Sequence, residues 1–582
     1  AAPKKREGAA DDHCPPRSRI SRARAPTVAV LLAAAAGVAH WKENRVYHKH
    51  LERLPEPVAR VACLPTENGF YYSYFAGLVD ADTLGQGLHA LIWDTRTEYP
   101  DTLNALRRFN IYQEVILAVA YRALWGVGVT FMSAWEFFRG CLYLQVCAGQ
   151  AVVALLAAEV SGNPFAGVAC FLLSFLNRFQ MSRFGLYSAS DLREHWGIPL
   201  LWLQTLLLWH LVTSAGRPRR ARLLWSGFVL TTCAFIISWQ FSPFLLLLQA
   251  TSLYFVCLVC GYDVLRPVVD RAVDAYLAAL IVASVMHFLS PYLLTSPFLA
   301  QVIGLKIATT LRKRLERSLP ASRAVWPLRR SADVVEGLIA VAVFGAVLRC
   351  MSPFATADTH IWDILCTKAA VVNAWLPESL RLSDSRLPTC TEPSFDARLY
   401  LVMGIFKEIE QGSLDVYRAT TASPAAAITC ALVVFRCLIG SARRWSARQA
   451  REASKAKPVT DSVHQARANE AGSRDGSAGL RRRKAGAVDP PPAAQEQAAP
   501  AGMPRRDGNG TDHAEEELEE SALLLFVVQF LIFLVLGVFI NRLRVAFAPP
   551  MMVLAASCLG PRLFAWGRSD RRWLALLYVA HA

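Results

Sequence analysis

The residues best suited to chemistry are acids and arginines set beside apolar runs. Glu67 heads the tyrosine-rich stretch Thr66-Glu67-Asn68-Gly69-Phe70-Tyr71-Tyr72-Ser73-Tyr74-Phe75, and Glu98-Tyr99-Pro100 opens a second stretch that reaches Arg107 and Arg108. A third group holds Arg178, Arg183, Asp191, Arg193, Glu194 and His195, and a fourth holds Asp358 and His360. A carboxylate accepts a proton, and an arginine fork pairs with phosphate oxygens. Acids among arginines at the edge of a bilayer therefore suit a lipid-linked phosphate.

The elements that must position these groups are apolar helices. The chain has 582 residues, 54% of them hydrophobic, with a mean hydropathy of +0.28. Runs long enough to cross a bilayer, where backbone groups must bond within their own segment, fall near 115–132, 141–176, 197–215, 222–238, 241–262, 273–290, 297–311, 333–350, 422–440, 521–540, 544–559 and 571–582. A shorter alanine-rich run at 26–41, preceded by charge, reads as a signal-anchor. The fold class is an all-α polytopic membrane protein with about 13 transmembrane helices.

The net charge of +16 does not indicate nucleic acid, because the basic clusters lie between the apolar runs, at 217–222, 312–317, 327–330, 443–451 and 568–572, and ahead of the first. That placement follows the positive-inside rule, and no basic-aromatic module accompanies it. The 14 cysteines are scattered. Cys257 and Cys260 form a Cys-x-x-Cys inside an apolar run, with no second pair to make a zinc or redox site.

With the basic loops cytosolic, residues 1–25 form a cytosolic N-terminus and 26–442 a transmembrane module whose loops 42–114, 177–196 and 351–421 are lumenal. The block 133–176 then needs one crossing plus a half-inserted segment. Residues 443–520, rich in Ala, Arg, Glu, Pro, Gly and Ser, read as a disordered cytosolic linker. The Asn509-Gly510-Thr511 sequon within it is then expected to stay unglycosylated. Residues 521–582 are C-terminal transmembrane helices, expected to be truncated because the last run ends at Ala582. This topology gathers every polar group named above on the lumenal face.

Two of these stretches, 66–75 and Thr97-Glu98-Tyr99-Pro100 leading to Arg108-Phe109-Asn110-Ile111-Tyr112-Gln113-Glu114-Val115, closely resemble the protein tryptophan C-mannosyltransferase family. Further matches follow in order: Asn177 and Arg183, Leu192-Arg193-Glu194, Trp239-Gln240-Phe241, Asp358 with His360-Ile361, and Phe395-Asp396 with Leu399-Tyr400. The resemblance runs from about residue 44 to 405, and two long motifs in the right order make it specific. Departures are Asn68, where that family often carries methionine, and 184–191, which lacks its Trp-Thr-Pro-Pro run.

The resemblance implies a GT-C glycosyltransferase fold in the endoplasmic reticulum membrane with a lumenal active site. It implies mannose transfer from dolichyl-phosphate-mannose to indole C2 of tryptophan in Trp-x-x-Trp segments of unfolded secretory polypeptides. Dolichyl-phosphate-mannose is then the donor substrate, and neither cofactor nor metal is expected. Another GT-C transferase, of O-mannosyl or N-glycan type, and a catalytically silent membrane adaptor are the competing readings.

An aromatic carbon is a poor nucleophile, so its proton must be removed and the departing phosphate stabilised. Glu67 is the base, against the alternative of a helix-capping acid. Arg193 is the phosphate ligand, against a salt bridge to Glu194 or Asp191, with Arg183 and Arg108 as further phosphate candidates. Arg107 and Arg108 equally suit lipid headgroups. Tyr71 and Tyr72 are pocket-lining candidates; with Tyr74 they also fit an interfacial aromatic belt, and helical spacing lets at most two share a pocket. Glu98 is a second acid or part of a turn. Gln240 lines the pocket or anchors a helix end, Asp358 and His360 touch a substrate or pack their loop, and His195 is structural. Cys366 and Cys390 share one lumenal loop and are candidates for a disulfide.

Overall fold

A computed structural model describes residues 27–35, 37–39, 42, 54–55, 58, 64, 67–129, 132–176, 193–213, 218–258, 263–318, 326–351, 378–381, 422–456, 508–539, 544–560 and 562. Asn177, Arg178, Arg183, Asp191, Asp358, His360, Cys366 and Cys390 lie outside the described residues, as does Cys260. The chain divides into two compact units, 1–434 with 517–582, and 435–516.

The described residues form helices and no strand; the one ladder-like pairing is an isolated bridge, Asp94 with Leu103. Between the helix Thr27–Ala39 and the first long apolar one lie α1 Asn68–Asp80, α2 Leu84–Ile92, α3 Ala105–Arg108 and α4 Tyr112–Gly126. There follow α5 Ala134–Ser161, α6 Pro164–Leu176, α7 Arg193–Thr213, α8 Pro218–Ser238, α9 Ser242–Leu258, α10 Arg266–Met286, α11 Pro291–Leu294, α12 Pro297–Ser318 and α13 Trp326–Met351. After these come α14 Ser423–Ala456, α15 Gly508–Phe539 and α16 Arg544–Ser557.

Among the described residues, seven stretches are long and apolar enough to cross a membrane: Ala134–Ser161, Arg193–Thr213, Ala221–Ser238, Pro291–Leu315, Ser331–Met351, Ser423–Gly440 and Glu517–Gly537. Three more apolar helices, Pro164–Leu176, Ser242–Leu258 and Ala546–Ser557, are shorter, as is Thr27–Ala39 at the expected signal-anchor. The expected span at 115–132 differs. Its helix α4 has 15 residues, about 22 Å of rise, and ends before Gly128, whose φ of 84° breaks the helical path. The block 133–176 divides into a 28-residue and a 13-residue helix at Gly162, which takes the left-handed cap (φ 73°) that a side chain would strain. Where the structure describes the expected disordered linker, at 443–456 and 508–520, it is helical, because α14 continues past its apolar run and α15 starts before its own.

Local sequence explains the helix starts near the site. Ser133 and Glu136 make a reciprocal capping box for α5, and Thr83 and Gln86 make one for α2. At the other end of α1, the Arg122 guanidinium donates to the carbonyls of Leu78, Val79, Ala81 and Asp82, the acceptors a helix terminus leaves unbonded. Tyr74, Phe75, Leu78, Leu91, Leu106, Ile111, Phe138 and Leu142 then form one buried cluster joining α1–α4 to α5.

Inside the bundle, polar side chains join neighbouring helices. Gln204 of α7 donates to Thr232 of α8, Gln249 of α9 donates to Thr205 of α7, and Tyr276 of α10 donates to Gln249. Such bonds carry weight where water is absent. Gly304 lets α12 meet α13 closely, since a Cβ there would sit 2.8 Å from the Ala340 carbonyl oxygen.

Candidate functional site

The motif 107–115 is a strap tied to three helix ends. Asn110 donates to the Ile236 carbonyl at 3.0 Å, Gln113 donates to the Ser238 carbonyl at 3.3 Å, and the Tyr112 hydroxyl donates to the Met286 carbonyl. His287 Nδ1 lies 3.0 Å from the Leu106 carbonyl oxygen. Glu114 reaches Arg193, the first residue of α7, at 2.8 Å through Oε1 and 3.0 Å through Oε2. The strap, the end of α8, the end of α10 and the start of α7 therefore share one end of the bundle.

Arg193 is the centre of this end. It is 4% exposed and Glu114 1%, so their ion pair is dry. The guanidinium also lies over the Tyr71 ring, its central carbon 3.3 Å from the ring centroid, a cation–π arrangement that fixes its plane. Nη1 goes to Glu114, while Nε and Nη2 are buried with no hydrogen-bond partner. Among the described residues the acid paired with Arg193 is Glu114 of the strap, not Glu194; Asp191 lies outside them. Two aligned N–H donors held in place at the N-terminus of a 21-residue helix are suited to an anion.

Glu67 adjoins this arrangement through α1. It occupies the position before the helix, yet its side chain makes no cap hydrogen bond, so capping does not account for it. It is half-buried, and its charge acts on the Tyr71 phenol. Burial pushes that phenol up, Arg193 pulls it back, and Glu67 and Glu114 add to the rise. One helix turn thus brings Glu67, Tyr71 and Arg193 to the same place.

The tyrosines diverge as a 3.6-residue period requires. Tyr71 faces Arg193. Tyr72 packs in a ring cluster with Trp135 at 5.1 Å and Phe138 at 5.2 Å on α5. The Tyr74 hydroxyl donates to Asp94 at 2.9 Å and lies 2.8 Å from Thr97 Oγ1. Glu98 and Arg108 pair with each other at 3.2 Å, both about half exposed, and Arg107 is exposed. Tyr99-Pro100 is a cis bond inside a turn closed by Asp101 N–H on the Glu98 carbonyl. Gln240 is exposed, and its carbonyl accepts from the Tyr292 hydroxyl at the α8–α9 corner. His195 is buried beside Arg193 in sequence.

Sequence reasoning passed over Glu114 and Asn68. Glu114 carried a signal, an acid one residue before an apolar run. Asn68 is 2% exposed, and both its Oδ1 and Nδ2 lack hydrogen-bond partners.

Comparisons with known proteins bear on what this end does. A family model described as "Dpy19: Q-cell neuroblast polarisation" matches residues 34–582. The mouse "Protein C-mannosyl-transferase DPY19L1" is 24% identical over 568 residues, covering 92% of this chain and 63% of that protein. The human "Probable C-mannosyltransferase DPY19L2" is 28% identical over 262 residues, 40% of this chain and 33% of that protein. The Caenorhabditis elegans "C-mannosyltransferase dpy-19" is 25% identical over 240 residues, 36% of this chain and 33% of that protein. The chain thus spans less than two thirds of the length of these curated relatives. A match over nearly the whole chain decides the family: this chain belongs to the Dpy19 family.

Proposed function

We propose that this protein is a C-mannosyltransferase. It transfers mannose from dolichyl-phosphate-mannose to C2 of a tryptophan indole in Trp-x-x-Trp segments of secretory polypeptides. The lipid donor enters from the bilayer and the unfolded acceptor from the lumen of the endoplasmic reticulum. The observation that carries the reading is Arg193, clamped by Glu114 and Tyr71 with two buried N–H groups unclaimed, beside the carboxylate of Glu67. The names borne by the relatives support it.

In this reading the bond between mannose C1 and the phosphate oxygen breaks, and its electron pair leaves with the phosphate. Nε–H and Nη2–H of Arg193 donate to the phosphate oxygens, stabilising charge as it develops. Indole C2 forms the new bond to C1, and Glu67 accepts the C2 proton as aromaticity returns. Glu114 keeps the guanidinium in place, while Tyr71 shields one of its faces. A lipid-linked monophosphate departs with less charge than a pyrophosphate, so this chemistry runs without a metal.

Mass spectrometry of a thrombospondin-type-repeat substrate co-expressed with the protein tests the assignment. Hexose on tryptophan is the expected result; hexose on Ser, Thr or Asn instead identifies a different GT-C transferase. Glu67→Gln should lower transfer at least about 100-fold at unchanged protein level, and full turnover in that variant would remove Glu67 as the base. Activity lost to chelator and restored by magnesium or manganese would count against the metal-free step.

A further inference from the structure

We propose that Asn68 binds hydroxyls of the transferred sugar, so that the site prefers a hexose-bearing lipid phosphate to the bare lipid phosphate. This rests on the donor reading above and deepens it.

Asn68 is nearly fully buried, and its carboxamide satisfies neither its donor nor its acceptor within the protein. Buried amides are almost always bonded, and one left unbonded costs stability. Such a cost is retained at places where a ligand completes the bonding. Asn68 lies three residues before Tyr71 on α1, which puts both on one helix face with Cβ atoms about 5–6 Å apart. The Tyr71 ring is the platform on which the Arg193 guanidinium rests. The unclaimed carboxamide therefore shares its helix face with the ring on which the two unclaimed guanidinium nitrogens rest.

The chemistry of the amide selects among the groups that could satisfy it. A phosphate oxygen only accepts, so it would satisfy Nδ2 and leave Oδ1 facing an anion. An indole N–H only donates, which satisfies Oδ1 and leaves Nδ2 bare. A hydroxyl both donates and accepts, and a neighbouring pair of hydroxyls satisfies both amide atoms at once. The spacing agrees: a hexose joined to a phosphate at Arg193 carries its hydroxyls about one ring-width away, the same scale as one helix turn along α1. Asn68 then acts as a specificity residue, holding the sugar while Arg193 holds the phosphate.

The test measures lipid binding by the full-length protein in lipid nanodiscs, with dolichyl-phosphate-mannose and dolichyl phosphate as the two probes. The wild type is expected to bind the mannosylated lipid about tenfold more tightly, the worth of one or two neutral hydrogen bonds. Asn68→Ala and Asn68→Leu should bring the two affinities together by weakening the mannosylated lipid alone. Asn68→Leu should also raise the unfolding temperature, because it removes an unsatisfied buried amide; a fall would show that the amide serves the fold and would overturn the assignment. A variant that keeps the preference, or shifts only the KM of the acceptor peptide, overturns it too. A wild type that binds neither lipid defeats the donor reading, an outcome distinct from equal binding of the two lipids, which overturns the sugar contact alone.

Discussion

Two of the buried sets of opposite charges among the described residues are built differently. At the end opposite the strap, Arg266 contacts Asp333 at 2.5 Å and Glu336 at 3.1 Å, while Arg312 contacts the same two acids. Two cations meet two anions, and each guanidinium bonds to both carboxylates. These four charges tie helices α10, α12 and α13 together. Arg193 and Glu114 are instead matched one to one, with two guanidinium nitrogens unclaimed. Desolvating charge is costly, so a structural network gains by closing every bond it can. An ion pair that leaves bonding capacity buried and unused is poised for something that is not always there.

The sharpest way to break this contrast is a double-mutant cycle at the open pair. Arg193→Met should lower transfer about 100- to 1,000-fold, the scale of losing donors to developing charge. Glu114→Leu alone strands a buried guanidinium and should destabilise by about 3–5 kcal/mol. The double variant should recover most of that stability, since an apolar pair of similar shape replaces an ion pair at little cost, yet remain inactive. Thermal unfolding alongside a transfer assay separates the two readouts. Activity in the double variant would mean that the pair only holds α4 to α7.

The four-charge network predicts the reverse pattern. Asp333→Asn leaves two guanidiniums facing the single Glu336 carboxylate and should lower stability by about 1–3 kcal/mol. Turnover per folded molecule should stay within about twofold of wild type, because the network touches no part of the proposed site. A loss of turnover at full fold occupancy would show that the two ends are coupled.

How far the sequence reaches can be read from these same residues. Apolar runs and loop charge located most of the helices, because a bilayer imposes its length on the sequence. Arg193 and Glu67 stood out by type and motif. Glu114 lies 79 residues from Arg193, and nothing local says which of several acids will meet a given arginine; helix packing decides that. The early end of α4 was visible in Gly126 and Gly128, but an apolar run through 132 masked it. The unused bonding of Asn68 has no signature in sequence at all, since satisfaction of a buried amide is a property of what surrounds it.

The smallest predicted effect concerns a third polar cluster near the site, one whose central acid takes its hydrogen bonds from neutral donors, with the Arg96 guanidinium 3.9 Å away. Asp94 accepts from the Tyr74 hydroxyl at 2.9 Å, from the Arg96 backbone N–H at 2.8 Å and from the Thr97 hydroxyl. Backbone bonds of 2.9 Å in both directions join it to Leu103, so this acid folds the loop 94–103 back beneath α1. Burial raises its carboxyl pKa, but the bonds from Thr97, Arg96 N–H and Tyr74 outweigh it and hold the group below its usual value of 3.8. A lowered folded pKa means that the charged acid contributes its stability above pH 3.8 and loses it as pH falls through the folded value. Tyr74→Phe should therefore cost about 1–2 kcal/mol at neutral pH, and that gap from wild type should narrow once the pH drops below 3.8. An equal gap at both pH values would mean that the tyrosine stabilises α1 by packing alone, and that Asp94, unlike Arg193, owes nothing to its charge.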